Sequence, residues 1–109
     1  VANEIANLYN LRLLKGKYCW TMGPAYETPA EIYFLKNLGG DVVGMSTVSE
    51  VEYAKKLDMN ILVISALTNF AAGIENTILT HEDVLTNAKK IAKDFSILLL
   101  ETINSLNKK

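Results

Sequence analysis

Gly23-Pro24-Ala25-Tyr26-Glu27-Thr28-Pro29-Ala30-Glu31 decides the reading of this chain, because it holds a strand end, an acidic side chain and a helix start in one short stretch. Thr28 followed by Glu31 is a capping box. Pro29 falls at the first helical position, where a missing N–H costs nothing, so a helix is predicted from Pro29. Upstream, Lys17 to Met22 is a run of aromatic and branched residues broken by Gly23-Pro24. That predicts a strand and leaves Tyr26 and Glu27 on the turn between strand and helix. In open α/β sheets, such turns carry binding sites.

Working outward, the strand-then-helix unit repeats. The helix from Pro29 carries Ile32, Phe34, Leu35 and Leu38 toward a core and stops at Gly39-Gly40, a pair suited to the left-handed conformation that ends helices. Asp41 opens a second strand, Val42 to Met45, which ends in Ser46-Thr47. Thr47 with Glu50 reads as a second capping box for a helix to about Leu57. Ile61-Leu62-Val63-Ile64, within Asn60 to Leu67, is a continuous apolar run that predicts a third strand covered on both faces, the most buried of the three. After a loop through residues 71–74, Thr80 with Asp83 caps a long helix. Its Val84, Ala88, Ile91, Phe95, Leu98, Leu99 and Leu106 recur at helical spacing and are expected to pack on the sheet, before a polar tail from Asn107. Ala2 to Leu8 carries a weaker helical pattern. Strand and helix in alternation predict an α/β fold with a mostly parallel sheet and flanking helices, read as a single segment over residues 1–109. Parallel strands align their C-terminal ends, so one crevice is expected to gather Tyr26 and Glu27, Met45 and Ser46, and Thr68 and Asn69.

Half of the 109 residues are hydrophobic, 21% are charged and the net charge is −1, the composition of a globular domain. Arg12 is the sole arginine, and the lysine pairs 55-56, 89-90 and 108-109 are scattered, so no basic stripe suits a nucleic acid. No stretch of about 20 apolar residues suggests a membrane span, and nothing resembles a signal peptide. Cys19 is the single cysteine and sits between Tyr18 and Trp20, where a small buried hydrophobe is expected. A cytoplasmic setting is the expectation. The chain opens on Val1 and not on Met, so a piece of a longer protein is also expected.

The expected crevice offers one carboxylate, one amide, small hydroxyls, a methionine and an aromatic ring, with no Cys/His cluster for a transition metal. Glu27 can accept from a ring N–H, Asn69 can donate and accept at once, and Tyr26 offers a stacking face, a set that suits a nucleobase. Each residue also has a plainer reading. Glu27 can be a charge favoured near a helix N-terminus, Asn69 a turn residue, Ser46 a cap and His81 a surface residue at the start of the last helix.

Gly-Pro-Ala-Tyr-Glu-Thr-Pro-Ala-Glu at 23–31, Val-Gly-Met-Ser-Thr-Val at 43–48 and Ser-Ala-Leu-Thr-Asn at 65–69 resemble the purine nucleoside phosphorylases of the trimeric type. Ala71-Ala72-Gly73-Ile74 and Leu79-Thr80-His81-Glu82 are similar to their bacterial members. The resemblance covers nearly the whole chain but only the C-terminal portion of the family's longer proteins, whose fold is the phosphorylase/hydrolase-like one. It implies that Glu27 and Asn69 hold the purine as the catalytic pair, with Tyr26 and Thr68 beside the base. Met45 would lie under the ribose, His81 at the ribose 5′-hydroxyl and Ser46 on phosphate. It also implies phosphorolysis of 6-oxopurine nucleosides without a cofactor, phosphate being a co-substrate, in a homotrimer. The family's other phosphate ligands, on a glycine-rich loop, an Arg and a His, lie N-terminal to the matched part. The 109 residues alone are therefore expected to be inactive. Two further readings stand beside this one: a non-catalytic segment that self-associates or binds a purine weakly, and a nucleoside hydrolase of similar fold that uses water.

Overall fold

In the computed structural model, residues 1–76 and 80–108 are described. The element order is α1 (Ala2–Leu8), β1 (Tyr18–Trp20), α2 (Pro29–Asn37), β2 (Val42–Gly44), α3 (Val48–Lys56) and α4 (His81–Asn107). The chain divides into two compact units, one of Val1–Lys15, Ala66–Asn69 and Thr80–Lys109, the other of Gly16–Ser65 and Phe70–Leu79.

The second of these units is a βαβ crossover followed by α3. Strands β1 and β2 pair in parallel, with Tyr18 opposite Val42, Cys19 opposite Val43 and Trp20 opposite Gly44. The ladder runs one residue past β1, where the Thr21 N–H donates to the Gly44 carbonyl at 3.0 Å. At the opposite end, Asp41 clamps Lys17 twice: its carboxylate accepts from the Lys17 N–H at 2.8 Å, and its own N–H donates to the Lys17 carbonyl at 2.9 Å. Asp41 therefore starts the sheet at the end away from the Tyr26-Glu27 loop. Cys19 packs onto Gly40, where an added Cβ would sit 2.2 Å from its sulfur.

Helix α2 begins as the sequence dictates. The Thr28 hydroxyl accepts from the Glu31 N–H at 3.3 Å, and the Glu31 carboxylate accepts from the Thr28 N–H at 2.7 Å. Its end is a Schellman turn: Gly39 is left-handed (φ +86), with Gly39 N–H to Lys36 carbonyl at 2.9 Å and Gly40 N–H to Leu35 carbonyl at 3.1 Å. The same closure ends α1 at Asn10 (φ +52) and α3 at Asp58 (φ +52), residue types whose short polar side chains tolerate that region.

Three expectations are corrected. Thr47 does precede α3, but its side chain makes no capping bond and its backbone lies at φ +81, ψ −42. Glu50 instead accepts from the Ser49 hydroxyl at 2.9 Å. The apolar run Ile61 to Ile64 joins no ladder among the described residues, and Leu62 is 57% exposed. A strand is buried on both faces only when neighbours and covering helices meet it, and the ladder here consists of β1 and β2. On α2, Ile32 is buried, but Phe34 and Leu38 stay 62% and 66% exposed, because a two-stranded sheet covers one narrow stripe of the helix. The long helix α4 has α1 as its packing partner within its own unit, which contains no strand among its described residues.

In that unit the buried residues are Ala6 of α1 with Leu98 and Thr102 of α4. Val84, Ala88, Ile91 and Phe95 continue the α4 stripe as half-buried positions, whereas Leu99 and Leu106 are exposed. Helix α4 begins with the expected capping box: the Thr80 hydroxyl accepts from the Asp83 N–H at 3.2 Å, and the Asp83 carboxylate accepts from the Thr80 N–H at 3.1 Å and its hydroxyl at 2.6 Å.

Candidate active site

The parallel pairing of β1 and β2 sets two C-terminal strand ends side by side. One carries the loop from Thr21 to Thr28 and the other carries Met45 and Ser46. Gly23 turns the loop with φ +64, and the Met45 side chain lies against it. A Cβ at Gly23 would come within 2.7 Å of the Met45 sulfur, so this position requires glycine for both its backbone and its neighbour. Met45 is thereby packed on the loop that presents Tyr26 and Glu27. The Gly23-Pro24 peptide bond is cis.

Glu27 is half-buried, and its Oε1 accepts a hydrogen bond from the Thr21 hydroxyl. Tyr26, beside it, is exposed. Both residues line a cleft of about 600 Å³ whose walls include Thr21, Met22, Phe34 and Leu35. Its mixture of one oriented carboxylate, hydroxyls and apolar walls suits a flat organic ligand with a few polar edges. Glu31, on the rim, is held ionised below its ordinary carboxylate range, first by the Thr28 backbone N–H and then by the Thr28 hydroxyl. Its charge therefore belongs to the helix cap.

Ser46 sits between β2 and α3. Its N–H approaches the Tyr18 hydroxyl at 3.4 Å, and its hydroxyl pairs with that of Thr47 at 3.1 Å. The Tyr18 ring lies over Gly44, where a Cβ would collide with the phenol oxygen at 2.1 Å. Thr47, β-branched at positive φ, is held in a strained conformation at this strand-to-helix turn. The second unit thus brings Tyr26, Glu27, Met45 and Ser46 to one edge of the sheet.

Thr68, Asn69 and His81 belong to the first unit. The Thr68 hydroxyl donates to the Asn69 side-chain carbonyl at 2.6 Å, which assigns the amide its orientation. His81 is the exposed first residue of α4, placed by the Thr80 cap. Leu79, the first residue of the last sequence motif, lies outside the described residues. Gly73 of the 71–74 motif packs on the start of α2, where a Cβ would meet that of Pro29 at 2.8 Å.

Three residues of this neighbourhood escaped the sequence reading. Thr21 carried a signal, a polar residue ending an apolar strand six positions before a glutamate. Tyr18 as a cover for Gly44 and Ser46 carried none, since its partners lie more than twenty residues away. The third is the Thr47 backbone: its sequence matches a cap, and nothing local announces its positive φ.

Comparison with known proteins gives the class. The phosphorylase superfamily matches residues 1–104, and the chain belongs to that superfamily. Among curated relatives, purine nucleoside phosphorylase 1 of Geobacillus stearothermophilus is 47% identical over 95 residues, which are 87% of this chain and 35% of that protein. The probable 6-oxopurine nucleoside phosphorylase of Moorella thermoacetica is 43% identical over 88 residues, 81% of this chain and 34% of that one. The crystal structure of Schistosoma mansoni purine nucleoside phosphorylase in complex with inosine superposes with a TM-score of 0.85 at 34% identity, over 94% of this chain and 38% of that one. The chain spans about a third of the length of the curated relatives it matches. The α/β fold expected from the sequence, a parallel sheet with flanking helices belonging to the nucleoside phosphorylases, is the fold found.

Proposed function

We propose that this chain is the C-terminal portion of a purine nucleoside phosphorylase of the trimeric type. In that reading it supplies the base-binding half of a site that cleaves 6-oxopurine ribonucleosides and deoxyribonucleosides. The supporting observation is the Glu27 carboxylate, held on one oxygen by Thr21, on a strand-end loop whose glycine is covered by Met45. The printed names of the relatives, among them a 6-oxopurine nucleoside phosphorylase, point to the same chemistry.

Glu27 accepts from the purine N1–H and Asn69 donates to O6, while the Asn69 carbonyl accepts from N7 once it is protonated. The Thr68 hydroxyl donates to that same carbonyl and so fixes which end of the amide is the acceptor. Tyr26 packs on the purine, Met45 lies under the ribose, His81 reaches the 5′-hydroxyl and Ser46 contacts phosphate. In the reaction the C1′–N9 bond breaks with its electron pair passing to the purine, and a phosphate oxygen bonds to C1′. Negative charge therefore collects on the base as an oxocarbenium-like sugar forms, and the Asn69 amide stabilises it where it develops, while Glu27 holds the base through N1–H. Phosphate is a co-substrate and no cofactor takes part. The protein is read as a homotrimer working in the cytoplasm, with these 109 residues contributing one segment of its domain. Incubating the full-length protein with inosine and phosphate should give equal amounts of hypoxanthine and ribose 1-phosphate. Release of hypoxanthine at the same rate without phosphate would make it a hydrolase and overturn the reading.

A further inference from the structure

We propose that Thr21 is a positioning residue for Glu27, holding one carboxylate oxygen so that the other is presented to the base, an inference that rests on the phosphorylase reading above. Glu27 lies on an irregular loop, with bends at residues 24 and 25, and a glutamate side chain there has several rotamers to choose among. Thr21 does not share that freedom. Its N–H is tied to the Gly44 carbonyl at 3.0 Å, so its backbone belongs to the β1–β2 ladder, and its β-branched side chain has few rotamers. A rigid ladder position thus supplies the hydroxyl that donates to Glu27 Oε1.

The bond runs from a hydroxyl to a carboxylate, the stronger kind, and both residues are half-buried on the wall of the same cleft. Thr21 has one hydroxyl proton, and committing it to Oε1 keeps Glu27 as an acceptor toward the ligand. A carboxylate aimed in this way favours a base that offers N–H at its polar edge over one that offers a bare ring nitrogen. Thr21 then acts on specificity without touching the substrate.

The test uses the full-length protein and measures kcat/KM for inosine and for adenosine in wild type, Thr21→Val, Thr21→Ser, Glu27→Gln and the Thr21→Val/Glu27→Gln double variant. Thr21→Val keeps the shape and removes the hydroxyl. It should lower kcat/KM for inosine about tenfold, mainly through KM, and reduce the inosine preference, whereas Thr21→Ser should stay within about threefold of wild type. In the Glu27→Gln background, Thr21→Val should change the rate by less than about twofold, since its effect passes through Glu27. Thermal unfolding of each variant identifies a loss due to misfolding, which Thr21→Ser would share if the role were packing. Equal losses for Val and Ser, wild-type kinetics for Val, or full additivity with Glu27→Gln would each overturn the inference. Turnover by wild type with no effect of Thr21→Val removes this inference alone. A wild type that neither cleaves inosine nor binds hypoxanthine removes the phosphorylase reading and this inference with it.

Discussion

A carboxylate and an amide can read a purine only if their donors and acceptors face the right way, and at both proposed base-binding residues a neighbouring threonine sets that direction. Thr21 donates to Glu27 and Thr68 donates to Asn69, so each polar group already has one partner from its own loop. A 6-oxopurine presents N1–H and O6, which match a carboxylate acceptor and an amide donor; a 6-aminopurine reverses the pattern. Asn69→Asp replaces the donor with an acceptor for the amino group. It should lower kcat/KM for inosine by about 10² to 10³ and narrow the gap between inosine and adenosine, because one donor aimed at developing charge is lost. A variant that keeps the wild-type ratio of the two nucleosides would remove Asn69 from base selection.

The helices rest on short local devices, and these can be tested one at a time. Thr28→Ala and Thr80→Ala each remove a side-chain acceptor from a helix start and should lower the unfolding midpoint by roughly 5 °C, read by circular dichroism. Glu31 and Asp83 complete the two boxes, and both are shifted below their ordinary values of 4.5 and 3.8, Asp83 first by the Thr80 hydroxyl and then by its N–H. A lowered folded value means that the unfolded chain takes up protons first. The contribution is therefore complete above pH 4.5 and is lost as the pH falls through the folded values. Glu31→Gln should flatten the fall in unfolding midpoint between about pH 5 and 3, and an unchanged slope would show that the cap carries no linkage. These devices are legible in the sequence because each links residues only three positions apart. The Thr47 box was not made although its letters match, since the turn out of β2 forces Thr47 to φ +81 before a cap can form. Ile61 to Ile64 misled for the opposite reason: hydrophobicity is local, but strand pairing needs a neighbour elsewhere in the chain. Thr21 has a faint local signal, a polar residue ending an apolar strand, but its partner Glu27 lies across a turn whose path the fold sets.

At the scale of the whole molecule, the 109 residues expose apolar side chains that a finished domain covers, among them Met22 (85% exposed), Tyr33 and Leu62. The β1–β2 pair also has unpaired edges among the described residues. The 109-residue chain should therefore sediment as more than a monomer at about 50 µM and bind a hydrophobic dye, and a dye-silent monomer would contradict that account. The decisive experiment uses the full-length protein. The direct measurement is kcat/KM for inosine and adenosine, each with and without phosphate. Phosphate-dependent cleavage is expected, with inosine favoured by roughly 10⁴, because a site built to pair polar groups rejects the mismatched base. Adenosine cleaved as well as inosine would contradict it.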